Sequence, residues 1–171
     1  EVFNNRGLAR TDKGDFDGAI ADYDQAIAIN PRAAEVLTNR GLARANKGDR
    51  DGAMADYDQA ISFNPRLAQA FVNRGVARKA QGNLDGAIAD YDQAIAIDPR
   101  HAGAFNNRGT AREDQGNLDG AIADFDRVIA INPRDAMAFN NRGVAREAKG
   151  EHDGAIDDFE VAITIAPKYA N

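Results

Sequence analysis

Apolar residues recur along this chain at the spacing of one helix face, in two alternating stripes. Turning successive residues by about 100° puts Val36, Leu37, Gly41 and Ala43 on one arc of the segment around 34–47. In the segment that follows, Ala53, Met54, Tyr57, Ala60, Ile61 and Phe63 share one arc. The pattern predicts two amphipathic helices, one from about Ala34 to Lys47 and one running to about Phe63. Gly48 follows the first helix, where a glycine is the usual stop. Asp49 then suits the N-cap of the second. Gly52 falls in that helix's first turn, where its cost should be below the roughly 1 kcal/mol of a helix interior. Asn64-Pro65 breaks the second helix, with Asn64 as a cap and Pro65 tolerated in the first turn of the next helix.

The same pair recurs. Five Asn-Arg-Gly triplets end at Gly7, Gly41, Gly75, Gly109 and Gly143, each 34 residues after the last. Asp-Gly-Ala triplets end at Ala19, Ala53, Ala87, Ala121 and Ala155, and Pro31, Pro65, Pro99, Pro133 and Pro167 keep step. A fixed period of this size marks a stack of helical units. The expected organisation is a single array over 1–171, with repeats at about 1–33, 34–67, 68–101, 102–135 and 136–171. Each helix is too short to be stable alone. Stacked pairs bury a continuous core instead.

Charge and residue types narrow the function. The formal net charge is −6, whereas a nucleic-acid binder carries a clustered basic surface. The same balance disfavours anionic lipid, no apolar run is long enough to span a bilayer, and no signal peptide is visible. The chain has no cysteine, which excludes disulfides, thiolate metal sites and a Cys nucleophile. His101 and His152 stand alone, and Ser62 is the only serine and recurs in no other unit. Asp15-Phe16-Asp17-Gly18 resembles part of a calcium loop but lacks its third oxygen position and later Glu. It reads as helix N-terminus chemistry. The carboxylates repeat identically, which suits a scaffold better than one active site. The chain is expected to be no enzyme, with no cofactor, no metal, no nucleic-acid partner and no membrane partner.

The repeat resembles the tetratricopeptide family, whose 34-residue unit sets bulky, Gly, Ala, aromatic and Pro residues at fixed offsets. The bulky position holds Phe3, Leu37, Phe71, Phe105 and Phe139, and Tyr23, Tyr57, Tyr91, Phe125 and Phe159 supply the second aromatic. Val128 replaces one Ala. The resemblance implies an all-α fold, a right-handed α-solenoid superhelix of five helix–turn–helix repeats that binds proteins. Two columns depart from it. The family's Leu is replaced by Arg6, Arg40, Arg74, Arg108 and Arg142, and its Tyr by Arg10, Arg44, Arg78, Arg112 and Arg146. Both fall in the buried arc, where an unpaired guanidinium is costly. Asp22, Asp56, Asp90, Asp124 and Asp158 are the expected partners, in an inter-helix ion-pair ladder. The alternative is an Arg stripe for phosphate or acidic ligands.

Columns that vary between units show where the fold leaves freedom. On the first helices they include Asn4/Thr38/Val72/Asn106/Asn140, Leu8/Leu42/Val76/Thr110/Val144 and Thr11/Ala45/Lys79/Glu113/Glu147. These lie on one arc opposite the packing arc. In the resembling family that stripe lines a concave groove and contacts peptides; the bland alternative is drift on a solvated face. At its edge one column is constant: Asn5, Asn39, Asn73, Asn107 and Asn141. An Asn amide can pair with both sides of an extended peptide backbone, as in asparagine ladders of peptide-binding members. The alternative is a local bond that orders the stack. Five such bonds would contribute roughly 5 kcal/mol, a dissociation constant on the order of 0.1–1 mM, so selectivity would come from the variable columns. Glu113, Asp114, Asp135 and Glu147 favour a basic partner segment. The family's carboxylate clamp is disfavoured, since only Asn39 matches it.

A second reading is a self-associating module. No polar cap is visible, and Lys168-Tyr169-Ala170-Asn171 begins a sixth unit or a cap. The chain opens in mid-pattern and reads as a fragment or an engineered array. The last second helix, with Ile156, Phe159, Val161 and Ile163, would stack head-to-tail on another copy, giving a homo-oligomer through the terminal repeats.

Overall fold

The structure, a computed structural model, describes residues 1–167 and has ten α-helices and no strand among them. The chain divides into two compact units, Glu1–Gln81 and Gly82–Asn171. The first holds α1 (Val2–Asp12), α2 (Phe16–Ile29), α3 (Ala34–Lys47), α4 (Arg50–Phe63) and α5 (Ala68–Ala80). The second holds α6 (Leu84–Ile97), α7 (Ala102–Asp114), α8 (Leu118–Ile131), α9 (Ala136–Lys149) and α10 (His152–Ile165). Within each unit every helix packs on the next, and α1 also touches α3, α3 touches α5, and α7 touches α9. Consecutive first helices therefore lie side by side. The expected residues Lys168–Asn171 lie outside the described residues.

Local chemistry sets the helix bounds. Gly48 closes α3 at φ +95°, a left-handed conformation that costs an L-residue with a side chain about 1–2 kcal/mol. Asp49 caps α4, its Oδ1 accepting from the Gly52 amide at 3.0 Å. A Cβ at Gly52 would lie 2.2 Å from Asp49 Oδ2, so the Asp-x-x-Gly spacing makes room for the cap. The Asn-Pro junction differs from expectation. Pro65 sits in a turn, not in the first turn of α5, and the N-cap of α5 is Leu67. The reason is that Asn64 Oδ1 accepts from the Arg66 amide at 3.1 Å. That side-chain turn carries the chain past the proline before a helix can start.

Packing is close where the small residues recur. A Cβ on Gly41 would fall 2.6 Å from Tyr57 Cε1, so the absent side chain is what admits the ring between α3 and α4. In the first unit Tyr23 and Tyr57 are fully buried, together with Leu37. Tyr91 and Phe125 hold the tyrosines' places in the second and are fully buried, Phe105 stands at the place of Leu37, and Val128 is buried where the other repeats have alanine. Each fully buried side chain of this size contributes roughly 1.5–3 kcal/mol. Leu37 packs with Ala34, Ala60 and Ala70, against Ile27 and Ile61. Phe105 packs with Val128 and Ala138, against Ile95 and Ile129.

Candidate binding face

Between the paired helices of a repeat lies a charged network. Arg6 donates to both oxygens of Asp22, Nε to Oδ2 at 2.8 Å and Nη2 to Oδ1 at 2.5 Å. Arg10 reaches the same carboxylate at 2.8 Å and the Gly18 carbonyl at 3.0 Å. Arg40 and Arg44 hold Asp56 in the same way, as do Arg108 and Arg112 at Asp124 and Arg142 and Arg146 at Asp158. Each of these aspartates is 2% exposed. A buried carboxylate between two guanidinium groups satisfies the electrostatic requirement that an unpaired charge would violate. The hydrogen bonds from Arg6 hold the Asp22 carboxyl below its usual range against the opposing effect of burial. In these four repeats both Arg columns are thus occupied inside the fold, as the ladder reading expects.

Sequence reasoning missed a second acidic column. Arg40 Nη1 also donates to Asp24 at 2.6 Å, and Arg74 Nη1 to Asp58 at 2.7 Å, both on the preceding repeat's second helix. In the second unit Arg108 meets Asp92 and Arg142 meets Asp126. The signal was present as an Asp-aromatic-Asp triplet recurring in four of the five repeats. The first Arg column therefore joins its own repeat to the one before. Several of these guanidinium groups also cover an aromatic ring, as Arg108 does Phe105 at 5.4 Å.

The opposite face of the first helices is more open. In the first unit Leu8, Leu42 and Val76 occupy one column of α1, α3 and α5, 41%, 40% and 48% exposed. In the second unit Val144 is exposed, and Thr110 and Glu113 are half-buried. Thr38 and Val72, expected on the free face, are instead buried. The Thr38 hydroxyl turns back to donate to the Ala34 carbonyl at 2.8 Å, a bond within its own helix.

The constant Asn column lies along the edge of this face, with Asn5 exposed and Asn39, Asn73, Asn107 and Asn141 half-buried. Asn39 Nδ2 donates to Asn4 Oδ1 at 3.0 Å, and Asn141 Nδ2 to Asn106 Oδ1 at 3.0 Å. Asn73 Oδ1 accepts from Gln69 at 2.7 Å. At Asn39 and Asn141 the amide thus ties neighbouring first helices together. Asn140, in the variable column, is exposed. Among the described residues no group of three or more His, Cys, Asp or Glu could hold a metal ion, and no helix is long and apolar enough to cross a membrane.

These features define a helical-repeat protein. The tetratricopeptide repeat profile matches residues 41–102, 72–136 and 106–170, and a related repeat profile matches 7–48. The chain belongs to the tetratricopeptide repeat family, whose members are in general protein-interaction scaffolds. Its fold is similar to the crystal structure of MamA, with TM-score 0.84, 29% identity and 96% of each chain covered. It is also similar to YrrB, described as a TPR protein with an unusual peptide-binding site, at TM-score 0.76 and 22% identity, covering 96% of this chain and 85% of that one. TTC0263, a thermophilic TPR protein from Thermus thermophilus, is similar at TM-score 0.77 and 20% identity, with 97% and 91% covered. Comparison with curated protein sequences returns no match.

Proposed function

We propose that the chain binds an extended segment of a partner protein along the exposed face of its first helices. The observation that carries this reading is the column Leu8, Leu42 and Val76, three exposed apolar side chains on helices that touch one another in sequence. Exposed apolar residues in a row at a repeat's spacing suit alternate side chains of an extended segment. Asn5, Asn73 and Asn107 at the edge of the face offer amides to a peptide backbone. Asn39 and Asn141 order the helices that present it. Val144 and Asn140 on α9, with Thr110, Glu113 and Asn106 on α7, form the equivalent face of the second unit. The carboxylates of Glu113 and Glu147 favour a basic flank in the ligand. Thr38 and Val72 lie beneath the surface and support it.

The test is a peptide-display selection on the parent chain beside a Leu42→Glu/Val76→Glu variant whose helicity is verified by circular dichroism. Both side chains are exposed, so the variant should fold. Peptides enriched on the parent and lost on the variant support the reading, and their side chains would describe the partner. If no peptide is enriched on the parent, the face is not a linear-peptide site and the reading falls.

A further inference from the structure

The column Leu8, Leu42 and Val76 repeats at the spacing of the first helices, and that spacing constrains the backbone of whatever lies along it. α1 touches α3 and α3 touches α5, with Asn39 Nδ2 donating to Asn4 Oδ1 across the first of these contacts at 3.0 Å. Helices packed in this way lie about 8–10 Å apart. A β-strand returns a side chain to the same face after two residues, about 6.6 Å, and again after four, about 13 Å. Neither interval matches the step from one helix to the next. Three strand residues cover about 10 Å, but the third side chain points to the opposite face. A polyproline II helix has three residues per turn and rises about 3.1 Å per residue, so every third side chain returns to one face after about 9.3 Å. Of the extended conformations, this one sets an apolar side chain over each helix in turn.

Charge around the column adds to the selection. Along α3, Glu35, Asn39, Leu42 and Asn46 follow one another at helical spacing on one face. Along α1, Leu8 is followed one turn later by Asp12. Asp12 and Glu35 are both exposed, and neither has an ion-pair partner among the described residues. They lie on opposite flanks of the apolar column. A polyproline II segment seated on that column sends the other two residues of each turn to the two flanks. On α5 the places of Glu35 and Asp12 hold Gln69 and Ala80, and Lys79 stands half-buried beside them. The acidic stretch is therefore that of α1 and α3.

We propose that the first unit takes a cationic polyproline II segment, with an apolar residue at every third position over Leu8, Leu42 and Val76 and with Lys or Arg between them, over Asp12 and Glu35. The proposal rests on the peptide reading and sets that segment's interval at three residues rather than two. Polyproline II makes no internal hydrogen bonds, so its carbonyls stay open to the amides of Asn5 and Asn73. A proline-rich segment also holds this conformation before it binds, which lowers the ordering cost.

The experiment is fluorescence anisotropy on the full 171-residue chain with four labelled peptides. These are four copies of Leu-Pro-Lys, the same residues scrambled so that the leucines leave the three-residue interval, four copies of Leu-Pro-Glu, and a proline-free alternation of Leu and Lys. The Leu-Pro-Lys peptide should bind at least about tenfold tighter than each of the others. Leu42→Gln/Val76→Gln, neutral and at exposed positions, should remove that binding. Asp12→Asn/Glu35→Gln should weaken it about three- to tenfold and leave the affinity for an uncharged Leu-Pro-Gln peptide unchanged. Equal binding of the ordered and scrambled peptides overturns the proposal, as does a Leu-Pro-Lys affinity unaffected by Asp12→Asn/Glu35→Gln. A preference for the Leu-Lys alternation overturns the three-residue interval while the peptide reading stands. If none of the four binds, the proposal falls, and the display selection on the parent shows whether the peptide reading falls with it.

Discussion

The Arg40 guanidinium meets the Asp56 carboxylate at two points, Nε to Oδ2 at 3.0 Å and Nη2 to Oδ1 at 2.5 Å, and its third nitrogen reaches Asp24. One side chain on α3 thereby ties α4 of its own repeat to α2 of the repeat before. Asp56 is almost wholly buried and also accepts from Arg44 at 2.9 Å. The network is a set of alternating charges whose worth depends on every member being present.

Removing the central carboxylate should therefore be costly. Asp56→Ala leaves Arg40 and Arg44 facing one another without their shared acceptor, at about 3–5 kcal/mol. Urea unfolding followed by circular dichroism should show a clear fall in midpoint. Adding Arg40→Leu and Arg44→Tyr, the residue types the family sets at these places, should recover most of the loss, because a well-packed apolar replacement of a buried ion pair is often neutral or better. An unchanged midpoint for Asp56→Ala would show that the network contributes nothing.

Gly41→Ala and Gly103→Ala should differ in sign. Helix propensity favours alanine by about 1 kcal/mol at Gly41, in the interior of α3, and by less at Gly103, in the first turn of α7. At position 41 the new Cβ falls 2.6 Å from the buried Tyr57 ring, whereas at position 103 it meets only the His101 ring at 3.4 Å. Overpacking costs about 1–3 kcal/mol and should dominate at Gly41. Thermal unfolding should place Gly41→Ala below the parent and Gly103→Ala level with it or above.

Acid should act through Asp22. Its carboxyl is held below its ordinary value by the Arg6 hydrogen bonds. A carboxyl with a lowered folded-state value contributes stability that is complete above its unfolded value and lost as pH falls through the folded one. Asp22→Asn should be less stable than the parent at neutral pH, and the gap should narrow below about pH 4. A gap that stays constant to pH 2 would separate Asp22 from the acid response.

Alkali should act through Tyr57. Burial pushes its phenol well above the ordinary value near 10. A group with a raised folded-state value contributes stability that is complete below its unfolded value and lost as pH rises towards the folded one. Ionisation of Tyr57 should therefore coincide with loss of helix, so that phenolate absorbance and circular dichroism change together above about pH 10. In Tyr57→Phe the helix should persist to higher pH. Phenolate appearing at full helicity would mean that the ring is accessible.

The extent to which the candidate face could be read in advance differs by column. Leu42 and Val76 were placed on the open side of their helices by periodicity alone, and they are exposed. Thr38 and Val72 come from a column at the margin of the same arc, where a small rotation decides between surface and interior, and both are buried. The Asn column was legible as a constant but not in its role. Whether Asn39 faces a ligand or Asn4 depends on how close α1 and α3 approach, and the two amides meet at 3.0 Å.

Period, helix pairing and the identity of the core follow from local sequence, because each repeat states its own caps, its own breaks and its own apolar stripe. Gly48, Asp49 and the Gly41–Tyr57 pairing required no knowledge of any other repeat. The central Asp columns were also within reach, since two arginines on a buried arc demand a carboxylate nearby. The second acidic column was not. Asp24 lies on the open side of its own helix and acquires a partner only when the next repeat stacks against it, 16 residues along the chain. Contacts within a repeat are dictated by residues a few turns apart, while contacts between repeats depend on the distance and angle at which whole helices settle, which the three-dimensional packing alone establishes.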